Sequence, residues 1–327
     1  MHNSSEDLKI YLANISFALI DRGDYLKASF SIILSVIPLI LNTGLLSVYI
    51  IHRDLWVPYD MYFLSLLIAN ILFHGIEAPF NVLMDIHPGY PLGVTGCMVF
   101  IYGVCGIAAV QMLTHAAIAL NRIWALWMPI SFHRQHSFKT AIIINGVVWF
   151  IAHAIDLPAA VMDIVFYRRP LEIIDCFWFE AGAAHAAEKI SMAINEILAS
   201  ICFLITLLSF PLILWKQRER SLWRKQIGVR ATLQKGHGVA VRKASSDSME
   251  RHSCIFMAAL TLSLSVFWGP FIIYLAFAIS HGHEYPEVEE IAARIFNCQS
   301  IADPVLIIYA LPNWRKRVKE TFCKRFG

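Results

Sequence analysis

Seven apolar segments, at about 28–51, 61–84, 97–121, 140–165, 189–215, 253–280 and 288–311, set the first constraint on this chain. Each is long enough to cross the ~30 Å hydrocarbon core of a bilayer, which takes roughly 20 residues of helix. In lipid every backbone N–H and C=O must find its partner within the structure, so runs of this length are helices. The sequence therefore predicts an all-α membrane protein, a seven-transmembrane helix bundle over residues 28–311. Composition agrees: 57% of the residues are hydrophobic and 16% charged, where soluble domains carry about a quarter charged. No repeat, second domain or Pro/Gly-rich linker interrupts the series, and the polar residues 1–27 precede it without a cleavable signal peptide.

An odd number of spans puts the termini on opposite sides, and charge says which side is which. Of 27 Lys and Arg, nineteen fall in loops and tail sharing a side with the C-terminus, ten of them between Lys216 and Arg251, against six on the other side. Positively charged loops stay in the cytoplasm, which predicts an extracellular N-terminus and a cytoplasmic C-terminus in the plasma membrane. The N-glycosylation sequons at Asn3 and Asn14 lie on the side so placed outside. Cys97 and Cys176 share that oxidising side and are free to pair. The stretch 215–251 is polar and basic, read as a third cytoplasmic loop with a mobile middle, in which Ser245 and Ser246 follow paired basic residues. Residues 312–327 form a tail that opens with Trp314, Val318 and Phe322 at helical spacing, which predicts a short amphipathic eighth helix against the inner leaflet. Cys323 beside it is a palmitoylation candidate.

Polar residues inside the spans narrow the function. Arg122 ends the third apolar run, either snorkelling to the interface or meeting a partner. Asn42, Asn70 and Asp303 lie near mid-bilayer, where pairing across helices is the economical solution. Phe267-Trp268-Gly269-Pro270 puts a proline bend in span six, with Glu250 at its cytoplasmic start within reach of Arg122.

With these residues in hand, the sequence resembles the rhodopsin-like G protein-coupled receptors over nearly its whole length, in a divergent, chemosensory-like form. Arg122 stands at the arginine of the Asp-Arg-Tyr motif, Cys97 lies 25 positions before it, Trp149 matches the fourth-span tryptophan, and Trp268 and Pro270 match Cys-Trp-x-Pro. Asp303-Pro304 stands for Asn-Pro-x-x-Tyr, with Ile307 at its tyrosine, and Trp314 holds the aromatic position of the eighth helix. The resemblance implies a Cys97–Cys176 disulfide, an Arg122–Glu250 restraint, and a switch involving Trp268, Pro270, Asp303 and Pro304. It implies a heterotrimeric G protein and an extracellular ligand, peptide or small chemosensory molecule, as partners.

Departures from the pattern are informative. Asn121 replaces the aspartate before Arg122, and Asn70 and Asp303 exchange the family's usual aspartate and asparagine, which puts its sodium site in doubt. Asn297 stands where opsins carry the retinal lysine and Val104 where amine receptors carry aspartate. Polar candidates for a ligand pocket are then Glu77, Asp156, Glu196 and Asn297, beside Val104 and Trp268. Membrane lipid is expected as surroundings; no cofactor, metal, nucleic-acid partner or enzymatic activity is expected, since no His-Glu-x-x-His or Gly-x-Ser-x-Gly occurs. The rival reading is a proton- or ion-coupled transporter or channel with Glu77, Asp156, Glu196 and Asp303 as its path. It lacks the paired broken helices of inverted repeats.

Overall fold

The computed structural model describes residues 4–86, 92–162, 176, 186–232, 256, 258–281 and 285–323. In chain order the helices are α1 (Ser4–Ile51), a 3-10 turn Arg53–Leu55, α2 (Asp60–Ile86), α3 (Gly93–Trp127), the short α4 (Pro129–Gln135), α5 (Phe138–Met162), α6 (Ala186–Thr232), α7 (Ala258–Phe267), α8 (Gly269–His281), α9 (Pro286–Asn297), α10 (Gln299–Ala310) and α11 (Pro312–Val318), which runs on as a π-helical turn Lys319–Cys323. Among the described residues six helical stretches are long and apolar enough to cross a membrane, and α7 with α8 forms the seventh as a bent pair. The spans agree with the sequence reading to within a few residues, except that α1 runs back to Ser4 through most of the polar segment before the first span.

Surface and interior are inverted relative to a water-soluble bundle. Ile40, Ile143, Phe150, Leu262 and Ile273 are exposed, whereas Asn42, Asn70, Gln111, His115 and Asp303 are buried. Against lipid an isoleucine costs nothing and an amide or carboxylate must turn inward to a partner. α3 is the central helix, packed on α2, α5 and α6, and α2 also packs on α1 and α5. The α2–α3 approach depends on Gly103, where a Cβ would come within 2.9 Å of Ile76. Small residues allow close packing of this kind where no hydrophobic effect drives helices together. The Trp149 indole N–H donates to Ser65 Oγ at 2.9 Å and clamps α5 to α2.

Prolines shape the two spans of the proposed switch. Pro270 has no N–H to give Val266, and α7 and α8 meet at Trp268 with a 43° bend. Pro304, inside α10, likewise leaves the Ser300 carbonyl without its helical donor. Asn42 Nδ2 supplies the missing bond from α1 at 2.8 Å.

The eighth helix forms as α11, but its aromatic anchor does not dip into lipid. Trp314 is buried against protein, stacked on Tyr49 at 5.8 Å and edge-on to Phe63. Arg317 pairs with Asp54 at 2.9 Å, and His52 meets the Thr321 hydroxyl, so α11 is fastened to the connection between α1 and α2. Cys97 and Cys176 are disulfide-bonded, tying the N-terminal end of α3 to the segment between α5 and α6. Replacing both cysteines with serine is expected to cost about 2–4 kcal/mol, read as a lower melting temperature in detergent that does not fall further in reductant.

Candidate functional site

Three layers of polar residues follow one another through the bundle. The middle layer centres on Asp303. Asn70 Nδ2 donates to Asp303 Oδ2 at 3.2 Å and to Asn42 Oδ1 at 3.0 Å, while Gln111 Nε2 donates to Asn70 Oδ1 at 2.8 Å. Gln299 Nε2 donates to the other carboxylate oxygen at 2.6 Å and itself accepts from Ser263. The His115 imidazole lies 3.5 Å from Asp303 Oδ2. The expected trio of Asn42, Asn70 and Asp303 therefore meets, with Asn42 reaching Asp303 through Asn70. Gln111, His115, Ser263 and Gln299 complete a network that joins α1, α2, α3, α7 and α10. Two amide N–H donors and an imidazole face the Asp303 carboxylate. Among the described residues no group of three or more His, Cys, Asp or Glu forms a metal cluster.

The outer layer holds three carboxylates. Glu77 Oε1 accepts from Asn297 Nδ2 at 2.5 Å and from Asn81 Nδ2 at 2.8 Å, so Asn297 in α9 is bound to α2. Glu77 Oε2 has no hydrogen bond among the described residues; the buried His74 imidazole lies 3.4 Å away without bonding geometry. Asp156 Oδ2 and Glu196 Oε2 also have no hydrogen bond among the described residues, and Ser200 donates to Glu196 Oε1. Asp156 lies among Tyr102 and Cys105 of α3 and Asn195 of α6. The Tyr102 hydroxyl meets His153 Nδ1 at 3.0 Å. Val104 packs against the core. Trp268 sets its ring edge-on to Phe296 at 4.4 Å, between the outer and middle layers, and its indole N–H has no hydrogen bond among the described residues.

The inner layer surrounds Arg122 at the end of α3. Its guanidinium carbon lies 3.4 Å from the centroid of the Tyr59 ring, and its Nε is buried without a hydrogen bond among the described residues. Asp60 acts on it through space. Asn121 does not touch Arg122's charge; its Nδ2 donates to the Tyr62 hydroxyl at 3.0 Å and to His136 Nε2 at 2.8 Å. Arg220 of α6 bonds the Leu126 carbonyl. Glu250, the expected partner of Arg122, lies outside the described residues, as do Asn3, Ser245 and Ser246. Asn14 falls in α1 and Cys323 in the terminal turn, with neither side chain described.

His136 gives this layer a pH dependence. Burial and then the charge of Arg122 lower its pKa from 6.5, and the neutral ring accepts from Asn121 while stacking on Tyr62 and Phe132. A base with a depressed folded pKa contributes its full stability above the unfolded value and loses it as pH falls toward the folded one. The melting temperature is therefore expected to drop as pH falls below 6.5, and His136→Gln is expected to flatten that slope.

With the geometry in place the comparisons decide the family. Residues 41–309 match the profile of the 7 transmembrane receptor (rhodopsin family). The chain belongs to this family. The receptor is 22% identical over 292 residues to the rat pyroglutamylated RF-amide peptide receptor, covering 85% of this chain and 66% of that one. It is 21% identical over 305 residues to human melanopsin, covering 92% and 62%. The receptor thus spans about two thirds of the length of these curated relatives. In fold it matches the crystal structure of squid rhodopsin with a TM-score of 0.76 at 16% identity, over 94% of this chain and 87% of that one. The family is one of receptors, not enzymes.

Proposed function

We propose that this receptor is a plasma-membrane protein that binds an extracellular ligand and activates a heterotrimeric G protein. The observation that carries the reading is the state of Arg122, a charged side chain at the inner end of the central helix, packed on an aromatic face with its Nε donor unspent among the described residues. A half-buried cation whose Nε has no hydrogen bond among the described residues is suited to exchange its resting contacts for those of a partner entering from the cytoplasm. The route from outside passes from the outer layer through Trp268 and the α7–α8 bend to the Asp303 network, which spans five helices and has two helix breaks beside it.

The outer layer bears on the ligand. Among the described residues Glu77, Asp156 and Glu196 each keep one carboxylate oxygen without a hydrogen bond, an arrangement that favours a ligand carrying positive charge. Asn297, bound to Glu77, offers no amine for a Schiff base, which argues against the chromophore chemistry of an opsin. A basic peptide or a small organic cation fits better. The transporter reading loses ground because Asp303 is enclosed by its own amide donors and Glu77 is held from two sides.

The sorting of basic residues supports an outside N-terminus and an inside C-terminus. Epitope tags at each end test it: on intact cells the N-terminal tag alone is expected to be stained, and the reverse pattern contradicts the orientation. Coupling is tested by complex formation. Wild type is expected to co-elute with at least one nucleotide-free G protein, with Arg122→Ala losing the complex; failure with every heterotrimer contradicts the reading.

A further inference from the structure

Within the inner layer Arg122 meets an aromatic ring rather than an acid from its own helix. A guanidinium at the edge of the hydrocarbon needs compensation, and the residue before it in sequence offers none. Asn121 is neutral, and its amide donors are spent on Tyr62 and His136. What faces the guanidinium is the Tyr59 ring, 3.4 Å from its carbon to the centroid, in the short segment between the 3-10 turn and α2. A desolvated arginine over an aromatic face is held by the ring's quadrupole. The next residue, Asp60, is buried and adds attraction through space.

Tyr59 is itself rigidly placed. It packs edge-on against Phe63 at 4.9 Å, and Phe63 in turn meets Phe256 and Trp314 edge-on. The buried Trp314 indole N–H lies near the Asp60 carboxylate without meeting hydrogen-bond geometry. Burial raises the Tyr59 phenol above its ordinary value of 10.0 against the opposing pull of Arg122, so the ring stays neutral and its face remains electron-rich. One aromatic cluster therefore links the inner ends of α2, α3 and α11 with Phe256 at the inner side of the sixth span.

We propose that Tyr59 is the positioning residue that restrains Arg122 in the resting receptor, through its ring face and with Asp60 beside it. This rests on the coupling reading and deepens it: the restraint comes from the first inner loop, so anything that shifts α11 or Asp60 acts on Arg122. A restraint of this kind sets the ligand-free population of the conformation that engages a G protein. Losing the ring face is expected to raise that population roughly tenfold, about what a partly desolvated cation–π contact accounts for.

The test uses the full chain in lipid nanodiscs without ligand, with spin labels at Val57→Cys and His133→Cys, exposed positions on either side of the contact. Two quantities are read: the distance distribution between the labels, and nucleotide exchange on a panel of G proteins. Tyr59→Leu is expected to broaden the distribution and raise exchange roughly tenfold, Asp60→Asn to do the same to a smaller extent, and Tyr59→Phe, which keeps the ring, to restore wild-type values in both. Tyr59→Trp presents a larger face and guards against a misfolded leucine variant; it is expected to lower ligand-free exchange and keep the distribution narrow. The proposal is overturned if Tyr59→Phe behaves like Tyr59→Leu, or if Tyr59→Leu leaves both readouts unchanged while Glu250→Gln moves them. A broadened distribution with no exchange on any G protein supports the restraint and counts instead against the coupling reading.

Discussion

Asn70→Asp is expected to destabilise the receptor by about 2–4 kcal/mol, the cost of losing two buried donor bonds, one of them to a carboxylate. Asn70 uses its amide nitrogen twice, toward Asp303 and Asn42, and its oxygen once, toward Gln111. Aspartate keeps the acceptor and loses both donor bonds. It also puts a second carboxyl 3.2 Å from the first, where two negative charges cannot both persist. Asp303→Asn alone is expected to cost less, because it forfeits charge-assisted bonds without creating repulsion. The exchange Asn70→Asp with Asp303→Asn is then expected to recover at least half of the loss from Asn70→Asp, since one carboxylate and one amide again face each other. Asn42, whose oxygen points at Asn70, keeps the recovery incomplete. Melting temperatures of the four proteins close the cycle; additive losses would mean that the two residues do not share a network.

Trp314→Ala is expected to cost a further-reaching loss at the inner surface, about 3–5 kcal/mol for truncating a fully buried tryptophan. Its ring lies between Tyr49 and Phe63, so the cavity opens where α1, α2 and α11 meet. The Arg317–Asp54 ion pair is partly exposed and contributes little on its own. α11 is therefore expected to detach when Trp314 is lost, and hydrogen exchange over 312–318 should rise to the level of an unprotected helix. Trp314→Phe, which keeps an aromatic face against Tyr49, should protect most of it. Unchanged exchange in Trp314→Ala would mean that the polar contacts of Arg317 and His52 suffice to hold α11.

Much of this was legible in the sequence because lipid makes polarity expensive. Asn42, Asn70 and Asp303 stand out of apolar runs, and they do meet. Gln111, Gln299, Ser263 and His115 were not singled out as their partners, since a lone sequence does not give the rotational register of one helix against another. The same limit hid Tyr59. It lies between spans, where a tyrosine is ordinary in composition, and the signal that was present, Tyr59-Asp60 at the edge of a span, gains meaning only when α3 brings Arg122 onto it. Trp314 was read onto the apolar face of a helix lying on the leaflet, whereas it is buried against protein: helical spacing gives a face but not what covers it. The Ser300 carbonyl bonded by Asn42 follows from Pro304 once the two helices are adjacent.

Nucleotide exchange on a panel of purified G proteins, driven by the receptor reconstituted in liposomes and compared with Arg122→Ala, bears most directly on whether this chain couples. Exchange above the protein-free rate on at least one heterotrimer, abolished by Arg122→Ala, is the expected result. Exchange that survives Arg122→Ala, or none from either protein, would contradict coupling through Arg122.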